Sequence, residues 1–264
     1  MTETESRKFT VLRDGPVARV RLTNPDKHNA FDDGLIRGLT DAFAALGAEG
    51  DIRVVVLESE GRSFSAGADL NWMKRMAGYD AAENKADAMA LAGLLDVMNS
   101  LPKPLIGLVQ GAAFGGGVGL VSCCDIAIGT DRASFALSEV KLGLIPAAIS
   151  PYVVKAMGQR AARRYFLTGE RFSAGEAHRL GLLHEVVADE AALVEAGQVA
   201  IDAALTAGPM ASAEAKDLIF AVDRPLSASV IEDTAERIAR VRASDEGKEG
   251  VNAFLEKRKP AWLN

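Results

Sequence analysis

Histidine and cysteine are scarce in this chain of 264 residues, and their scarcity excludes several kinds of site. The two cysteines, Cys123 and Cys124, are adjacent, and adjacent cysteines rarely pair, so we expect small buried side chains in a reducing compartment. The three histidines, His28, His178 and His184, have no ligand partner at helical or strand spacing. We therefore expect neither a metal site nor a Ser-His-Asp triad.

The chain also lacks the glycine loops of nucleotide-binding proteins and an excess of positive charge. It contains neither the Gly-Lys-Ser/Thr of a phosphate-cradling loop nor the G-x-G-x-x-G spacing of a dinucleotide site. Lysine and arginine number 30 against 36 acidic residues, a net charge of −6, and no long basic face interleaves with aromatic residues. We expect no nucleic-acid partner.

One uncharged stretch is long enough to span a bilayer. It runs for 21 residues from Pro104 to Cys124, yet six of them are glycine and Gln110 lies among them. A buried strand that leads into a buried helix explains it better than a membrane span. The first ten residues, MTETESRKFT, have no apolar core of a signal peptide, so we predict a cytoplasmic protein.

Strand and helix patterns alternate along most of the chain. KFTVLRDGPVARVRL alternates apolar and polar residues on both sides of Asp14-Gly15, which predicts a hairpin. IRVVVLES, PLIGLVQ, DIAIGT and SFAL are further strand patterns, and helical patterns separate several of them. From about Asp189 onward, four helical patterns follow without a strand, the last running from Lys248 to Trp262. The sequence predicts an α/β fold with a helical C-terminal appendage.

Two turns rich in small residues each follow a strand pattern and lead into a helix. They are SFSAGADL, from Ser63 to Leu70, and FGGGVG, from Phe114 to Gly119. Small side chains give a ligand access to the unpaired N–H groups at a helix start. If the two strands are neighbours, two N–H groups can meet on one oxygen and form an oxyanion hole. The alternative is that the glycines only permit close packing of helix on strand.

A single glutamate stands in an apolar segment nearby. In SFALSEVKLGLIP, Glu139 and Lys141 are the charged residues. A carboxyl group among apolar neighbours has a raised pKa and suits proton transfer near neutral pH. On the pattern alone, an exposed glutamate at the end of a strand is the favoured interpretation.

These segments, in this order, resemble the crotonase (enoyl-CoA hydratase/isomerase) superfamily. The matching motifs are KHNAF, FSAGADL, GAAFGGGVGLVSCCDIAI, SFALSEVKLGLIP, RRYFLTGERFSAGEAHRLGLLHEVV and FLEKRKPAW. Together they cover nearly the whole chain from about Lys8. The resemblance implies a crotonase-like spiral of ββα units in a core domain, residues 1–195, and a C-terminal helical trimerisation region, residues 196–264.

The resemblance also implies a role for individual residues. The N–H groups of Ala68 and Gly116 would hold the thioester carbonyl oxygen of an acyl-CoA, and Glu139 would transfer protons. CoA would enter as part of the substrate, without a separate cofactor, and the protein would be a homotrimer or a hexamer. Further substrate-binding positions are Lys27, His28, Ala30, Ala66, Gly67, Asp69, Leu70, Phe114, Gly115, Gly119, Ser138, Phe254 and Lys257, the last two from a neighbouring subunit.

The chain departs from the family pattern at one catalytic position. Enoyl-CoA hydratases carry a glutamate two residues after the glycine triple, and Gly119 stands there. In this the chain is similar to bacterial methylglutaconyl-CoA hydratases of leucine degradation. We therefore expect hydration of a branched, carboxylated enoyl-CoA such as 3-methylglutaconyl-CoA, with space beside C3 opened by Gly119. An isomerase, a decarboxylase or an acyl-CoA hydrolase with one glutamate is the alternative.

Overall fold

The computed structural model describes residues 8–263, and its strands form two sheets. The larger sheet contains six strands, in the spatial order β1, β2, β3, β5, β7, β10. Their ranges are Phe9–Asp14 (β1), Val17–Leu22 (β2), Val54–Ser59 (β3), Leu105–Val109 (β5), Ile126–Thr130 (β7) and Glu185–Val187 (β10). β1 and β2 form the antiparallel hairpin that the sequence predicts, and the other neighbours pair in parallel.

The second sheet consists of four strands of three residues each. They are Ser63–Ser65 (β4), Ala112–Phe114 (β6), Ser134–Ala136 (β8) and Arg171–Ser173 (β9). β4, β6 and β8 are parallel, and β9 runs antiparallel to β8. The middle residues of these strands, Phe64, Ala113, Phe135 and Phe172, are buried. Because side chains alternate across a strand, the residues on either side of them point to the opposite face of the sheet.

Ten α-helices lie within the described residues. They are Asp33–Ala48 (α1), Leu70–Met76 (α2), Ala81–Asn99 (α3), Gly116–Ser122 (α4), Ser150–Thr168 (α5), Ala174–Arg179 (α6), Glu190–Thr206 (α7), Pro209–Val222 (α8), Ala228–Ala243 (α9) and Asp245–Leu255 (α10). Local sequence sets their starts: Asp32 caps α1 by accepting the Leu35 N–H, and Asp80 forms a capping box with Glu83 at α3. None of the helices within residues 8–263 has the length and apolar character needed to cross a membrane.

The chain repeats one unit of a long strand, a short strand and a helix. β3, β4 and α2 form one such unit, and β5, β6 and α4 form the next. β7 and β8 begin a third unit, in which a 3-10 helix, Ser138–Leu142, precedes α5. The predicted α/β fold of ββα units is confirmed. Because β4, β6 and β8 are parallel neighbours, the three segments that follow them lie at one edge of the small sheet.

Helices cover both faces of the larger sheet. One core cluster joins Leu39 and Phe43 of α1 to Leu94 of α3 and to that sheet, and a second joins Leu193 and Ile201 of α7 to its opposite face. β3 is therefore buried on both sides, as expected for a parallel strand between helical layers. The predicted domain boundary at residue 195 lies within α7, and the division into a core domain and a trimerisation region stays a prediction.

The C-terminal appendage differs from the prediction at its end. Helices α8, α9 and α10 pack on one another, but α10 stops at Leu255 instead of continuing to Trp262. Lys257 adopts a left-handed backbone conformation, with φ of 57°, and the chain turns there. Pro260, three residues further on, disfavours continuation of a helix. Residues 1–7, on which the cytoplasmic prediction depends, lie outside the described part of the chain.

Candidate active site

The turn after β4 leaves one N–H group without a partner. Phe31 lies beside this turn and pairs with it on both sides: its N–H donates to the Gly67 oxygen at 2.7 Å, and its oxygen accepts the Asp69 N–H at 2.7 Å. Ala68, between those two residues, donates its N–H to no other group in residues 8–263. The backbone of this turn is therefore fixed while the Ala68 N–H stays available to a ligand.

The turn after β6 also has a fixed backbone and an N–H group without a partner. The Gly115 N–H donates to the Ala136 oxygen at 2.9 Å, which ties the turn to β8. Gly115 has φ of 50° and ψ of −117°, a conformation that residues with a side chain rarely adopt. Gly116 is the first residue of α4, and its N–H has no hydrogen-bond partner within the described residues. The N–H group of the first residue of a helix points out of the helix N-terminus, where it can bind a negatively charged atom.

The two turns touch each other through Gly67. A Cβ atom at Gly67 would lie 3.0 Å from the Phe114 oxygen and 4.0 Å from the Gly115 Cα. The φ of Gly67 is also positive, at 86°, so glycine serves both the turn and the close approach. The strands that carry the turns, β4 and β6, are paired neighbours, as the oxyanion-hole hypothesis requires. This geometry can offer two N–H groups to one developing negative charge.

Glu139 lies beside this pair of turns. It is in the first turn of the 3-10 helix that follows β8, and its Oε1 atom lies 3.1 Å from where a Cβ of Gly115 would stand. Its Oε2 atom is buried and has no hydrogen-bond partner among the described residues. Burial raises the pKa of Glu139 above its usual value. The alternative of an exposed strand-end glutamate is wrong, because the carboxyl group is held against the second turn.

The backbone of the Glu139 turn rests on the end of α5. Gly169, the left-handed residue that ends α5, is close enough that a Cβ there would lie 3.3 Å from the Ser138 Cα and 3.1 Å from the Lys141 Cε. Ser138 therefore supports Glu139 through the backbone. The sequence signal for this contact is the Thr-Gly pair after the α5 pattern, which sequence reasoning did not use.

The space at Gly119 is filled. A Cβ at Gly119 would lie 2.4 Å from the Ile149 Cγ2 and 3.4 Å from the Leu95 Cδ2. Gly119 and Ile149 are both buried. The expectation that Gly119 opens space beside C3 is therefore wrong, because two apolar side chains occupy the volume that a side chain would take. Sequence reasoning missed Ile149 and Leu95, which lie far from Gly119 in the chain.

The KHNAF segment contacts the first turn. Lys27 places its Nζ 3.5 Å from the Asp69 Oδ2, and the His28 oxygen accepts the Ala66 N–H at 2.9 Å. Burial raises the pKa of Asp69, but hydrogen bonds from the Trp72 and Asn71 N–H groups outweigh burial and hold the pKa below its usual value. Ala30 is buried behind this contact, and Leu70, which begins α2, is 73% exposed.

Asn29 fixes this segment, and sequence reasoning did not single it out. Its side chain is fully buried; Nδ2 donates to the Glu60 and Ser63 oxygens at 2.9 and 3.0 Å, and Oδ1 accepts the Asn24 N–H. Asn29 has a positive φ of 52°, a backbone conformation that asparagine adopts more readily than most other residues.

The structure does not bring the two C-terminal positions to the turns of the same chain. Phe254 lies in the last turn of α10, and Lys257 follows two residues beyond its end. Phe254 is 82% exposed. α10 packs against α8 and α9, so the side chain of Phe254 is left on the surface of this chain.

Known proteins are similar to this chain over nearly its whole length. A family model described as "Enoyl-CoA hydratase/isomerase" matches residues 13–264. A Thermus thermophilus protein provisionally named enoyl-CoA hydratase is 36% identical over 252 residues, which cover 94% of this chain and 98% of that protein.

Solved structures resemble this chain along nearly its whole length. An enoyl-CoA hydratase from Shewanella pealeana superimposes with a TM-score of 0.95 at 48% identity, covering 98% of this chain and 97% of that one. Pseudomonas aeruginosa AtuE superimposes with a TM-score of 0.94 at 33% identity, covering 98% of this chain and all of that one, 100%. The fold around the two turns is therefore shared with proteins of this class.

Proposed function

Because this chain belongs to the enoyl-CoA hydratase/isomerase family, we propose that it is a hydro-lyase that adds water reversibly across the C2–C3 double bond of an enoyl-CoA. The observation that carries the proposal is the position of Glu139, whose Oε2 atom is buried and unpartnered among the described residues, beside two turns with free N–H groups. A thioester bound with its carbonyl oxygen between Ala68 and Gly116 would place its acyl carbons near that carboxyl group.

The residues act in a fixed order in this mechanism. The Glu139 carboxylate accepts a proton from water as the water oxygen bonds to C3 of the substrate. The electron pair of the double bond moves toward the thioester, and the N–H groups of Ala68 and Gly116 stabilise the negative charge on its oxygen. Glu139 then returns the proton to C2, which restores the carbonyl group and the free carboxylate. One acid therefore serves as base and acid in turn.

For the substrate we propose a branched enoyl-CoA with a second carboxylate, such as 3-methylglutaconyl-CoA. The support is the single glutamate: with glycine at position 119, the protein has no side chain there to orient water, and a substrate carboxylate can supply that contact. Steady-state turnover of 3-methylglutaconyl-CoA should exceed that of crotonyl-CoA. Faster turnover of the straight-chain substrate would overturn this assignment.

Double-bond isomerisation is the second candidate, and the packing at Gly119 favours it. Ile149 and Leu95 fill the volume beside Gly119 with apolar atoms, and a single carboxylate suffices to move a proton between two carbons. Mass spectrometry of the product separates the two functions, because hydration adds the mass of water and isomerisation leaves the mass unchanged.

We also propose that the protein forms a homotrimer, or a hexamer of two trimers, in which Phe254 and Lys257 complete the site of a neighbour. The support is the exposure of Phe254 and the apolar residues that α9 and α10 leave exposed, Ile231, Ile238 and Val251. Light scattering measures the assembly. Mixing Glu139→Gln subunits with Phe254→Ala/Lys257→Ala subunits should restore activity if sites are shared, and no recovery would contradict sharing. Cytoplasmic location stays a prediction, to be checked by cell fractionation.

A further inference from the structure

One buried residue, Phe31, contacts both of the turns that carry the free N–H groups. Its main chain holds the residues on either side of Ala68: the Phe31 N–H donates to the Gly67 oxygen, and the Phe31 oxygen accepts the Asp69 N–H, each at 2.7 Å. Its ring lies against the first residue of α4, because a Cβ atom at Gly116 would stand 3.0 Å from the Phe31 Cε2 and 3.2 Å from its Cδ2. The main chain of Phe31 therefore holds the turn of one N–H donor, and its side chain supports the other donor.

The segment around Phe31 is itself fixed. The buried Asn29 side chain makes three hydrogen bonds to the backbone, and the Ser65 hydroxyl donates to the Asn29 oxygen at 2.9 Å. On the other side of Phe31, Asp32 caps α1 by accepting the Leu35 N–H at 2.9 Å. Phe31 is 1% exposed, so its ring cannot leave the second turn without opening a gap in a close-packed core.

The distance between the two N–H donors decides how well they share one oxygen, because each nitrogen must come within about 2.7–3.1 Å of it. Other contacts join the two turns: a Cβ atom at Gly67 would lie 3.0 Å from the Phe114 oxygen, and one at Gly117 would lie 2.6 Å from the Ser65 oxygen. Neither of these contacts includes a donor residue. The ring of Phe31 touches a donor residue directly, so it can set the position of that N–H group.

We propose that Phe31 is a positioning residue, whose ring sets the distance between the Ala68 and Gly116 N–H groups. The inference rests on the proposed function, in which both groups stabilise the negative charge on the thioester oxygen. Phe31 acts through the backbone of the two turns and transfers no proton. A smaller apolar side chain would keep the main-chain hydrogen bonds of residue 31, since these need no side chain, and would leave Gly116 without its support.

Steady-state kinetics of Phe31→Leu give the first test. The kcat of this variant should fall roughly tenfold while KM for the enoyl-CoA stays near the wild-type value, the pattern of an interaction made only in the transition state. Phe43→Leu is the matched control, because Phe43 is a fully buried residue of α1 in the same core cluster. It should lose similar stability in chemical denaturation and keep its kcat. A kcat near the wild-type value in Phe31→Leu, or an equal fall in both variants, would overturn the proposal.

Ionisation of a bound β-keto thioester gives a readout that a loss of stability does not move. Acetoacetyl-CoA loses a proton from C2 to form an enolate, whose charge lies largely on the carbonyl oxygens and whose ultraviolet absorbance can be titrated. The titration is made on Glu139→Gln, so that the catalytic carboxyl group does not titrate beside the ligand. Adding Phe31→Leu to that variant should lower the ionisation constant of the bound ligand roughly tenfold, and adding Phe43→Leu should leave it unchanged. An unchanged ionisation constant with Phe31→Leu would contradict positioning by the ring.

The same titration separates failure of the proposed function from failure of the inference. If binding to Glu139→Gln does not make acetoacetyl-CoA more acidic than it is in water, the two N–H groups do not hold its oxygen, and the proposed function fails together with the role of Phe31. If binding makes the ligand more acidic and Phe31→Leu leaves that effect intact, the inference about Phe31 alone fails. Phe31→Met, which retains more of the volume of the ring, takes the place of Phe31→Leu if that variant does not fold.

A double variant tests the contact between the ring and the second turn. Gly116→Ala should lower kcat, because its methyl group presses against the Phe31 ring. The shorter leucine side chain of Phe31→Leu leaves room for that methyl group. The kcat of Phe31→Leu/Gly116→Ala should therefore fall by less than the product of the two single losses. Single losses that simply multiply would show that the two residues act independently, against the proposal.

Discussion

Two partly buried carboxylates, Glu139 and Asp125, lie in the same core and have opposite surroundings. Burial raises the pKa of both above the usual value. Asp125 has partners: the Lys216 Nζ lies 2.8 Å from its Oδ2, and the Leu105 N–H donates to the same oxygen at 2.8 Å. Glu139 has an oxygen with no partner at all among residues 8–263. The pairing of Asp125 with Lys216 connects α8 to the larger sheet. The unpartnered oxygen of Glu139 leaves that carboxyl group free to exchange protons.

The largest effect should come from removing the unpartnered carboxyl group. Glu139→Gln keeps the shape of the side chain and loses proton transfer, so turnover should fall by roughly 100- to 10,000-fold while CoA thioester binding persists. Steady-state kinetics and calorimetry measure the two properties separately. Glu185→Gln, at an exposed glutamate that begins β10, is the matched control and should leave turnover unchanged. Near-wild-type turnover of Glu139→Gln would remove Glu139 from the mechanism.

Removing the Lys216 partner of Asp125 should lower the stability of the protein and leave its turnover unchanged. Lys216→Met strands the half-buried Asp125 charge and should lower the free energy of unfolding by about 2–3 kcal/mol, below the range for fully buried pairs because Asp125 retains some exposure. Urea denaturation measures this, and turnover per folded molecule should be unchanged. Lys155→Met breaks the exposed pair with Asp223 and should cost little or nothing. Equal losses in the two variants would contradict the distinction.

The position of Glu139 can also be moved without changing its chemistry. Gly169→Ala places a methyl group against the Ser138 backbone, and the displaced 3-10 helix should lower turnover roughly tenfold, because small misplacements of a catalytic group are costly. Gly143→Ala is the control. Gly143 also has a positive φ, 73°, so alanine introduces the same backbone strain, but a Cβ atom there would have no atom within 4 Å. Turnover that falls equally in both variants would show that strain, and not contact with Ser138, is the cause.

The smallest effect is the dependence of stability on pH. A raised pKa means that folded Glu139 holds its proton more tightly than the unfolded chain does, so its contribution to stability is lost as pH rises through the raised pKa. Glu139→Gln cannot lose a proton. Its free energy of unfolding relative to wild type should therefore increase from acidic to neutral pH. Chemical denaturation across that range checks the sign, and a difference that shrinks with rising pH would contradict burial as the cause.

The sequence predicted those parts of the molecule that depend on local pattern. The Asp14-Gly15 hairpin, the strand in VVVLES and the small-residue turns at Ser63–Leu70 and Phe114–Gly119 depend on neighbouring residues, and the structure confirms the hairpin, the strand and the adjacency of the turns. Glu139 could be singled out because one carboxyl group stood in an apolar segment. The roles of Ala68 and Gly116 in holding a substrate oxygen remain predictions.

What the sequence could not predict depends on contacts between distant segments. Ile149, which is thirty residues from Gly119 in the sequence, fills the space beside it. The local sequence pattern around either residue does not predict that contact. A cavity lined by Arg62, Arg132 and Arg171 has the same origin, since these residues are brought together by the pairing of β4, β6, β8 and β9. The end of α10 was also missed, because the helical pattern continued past the residue where the backbone turns.

The most direct measurement is a crystal structure of the enzyme with a bound CoA thioester. We predict that the carbonyl oxygen lies about 2.7–3.1 Å from the nitrogen atoms of both Ala68 and Gly116. We also predict that the Glu139 carboxyl group faces the C2 and C3 carbons of the acyl chain. A carbonyl oxygen that contacts neither N–H group, or an acyl chain directed away from Glu139, would contradict these predictions.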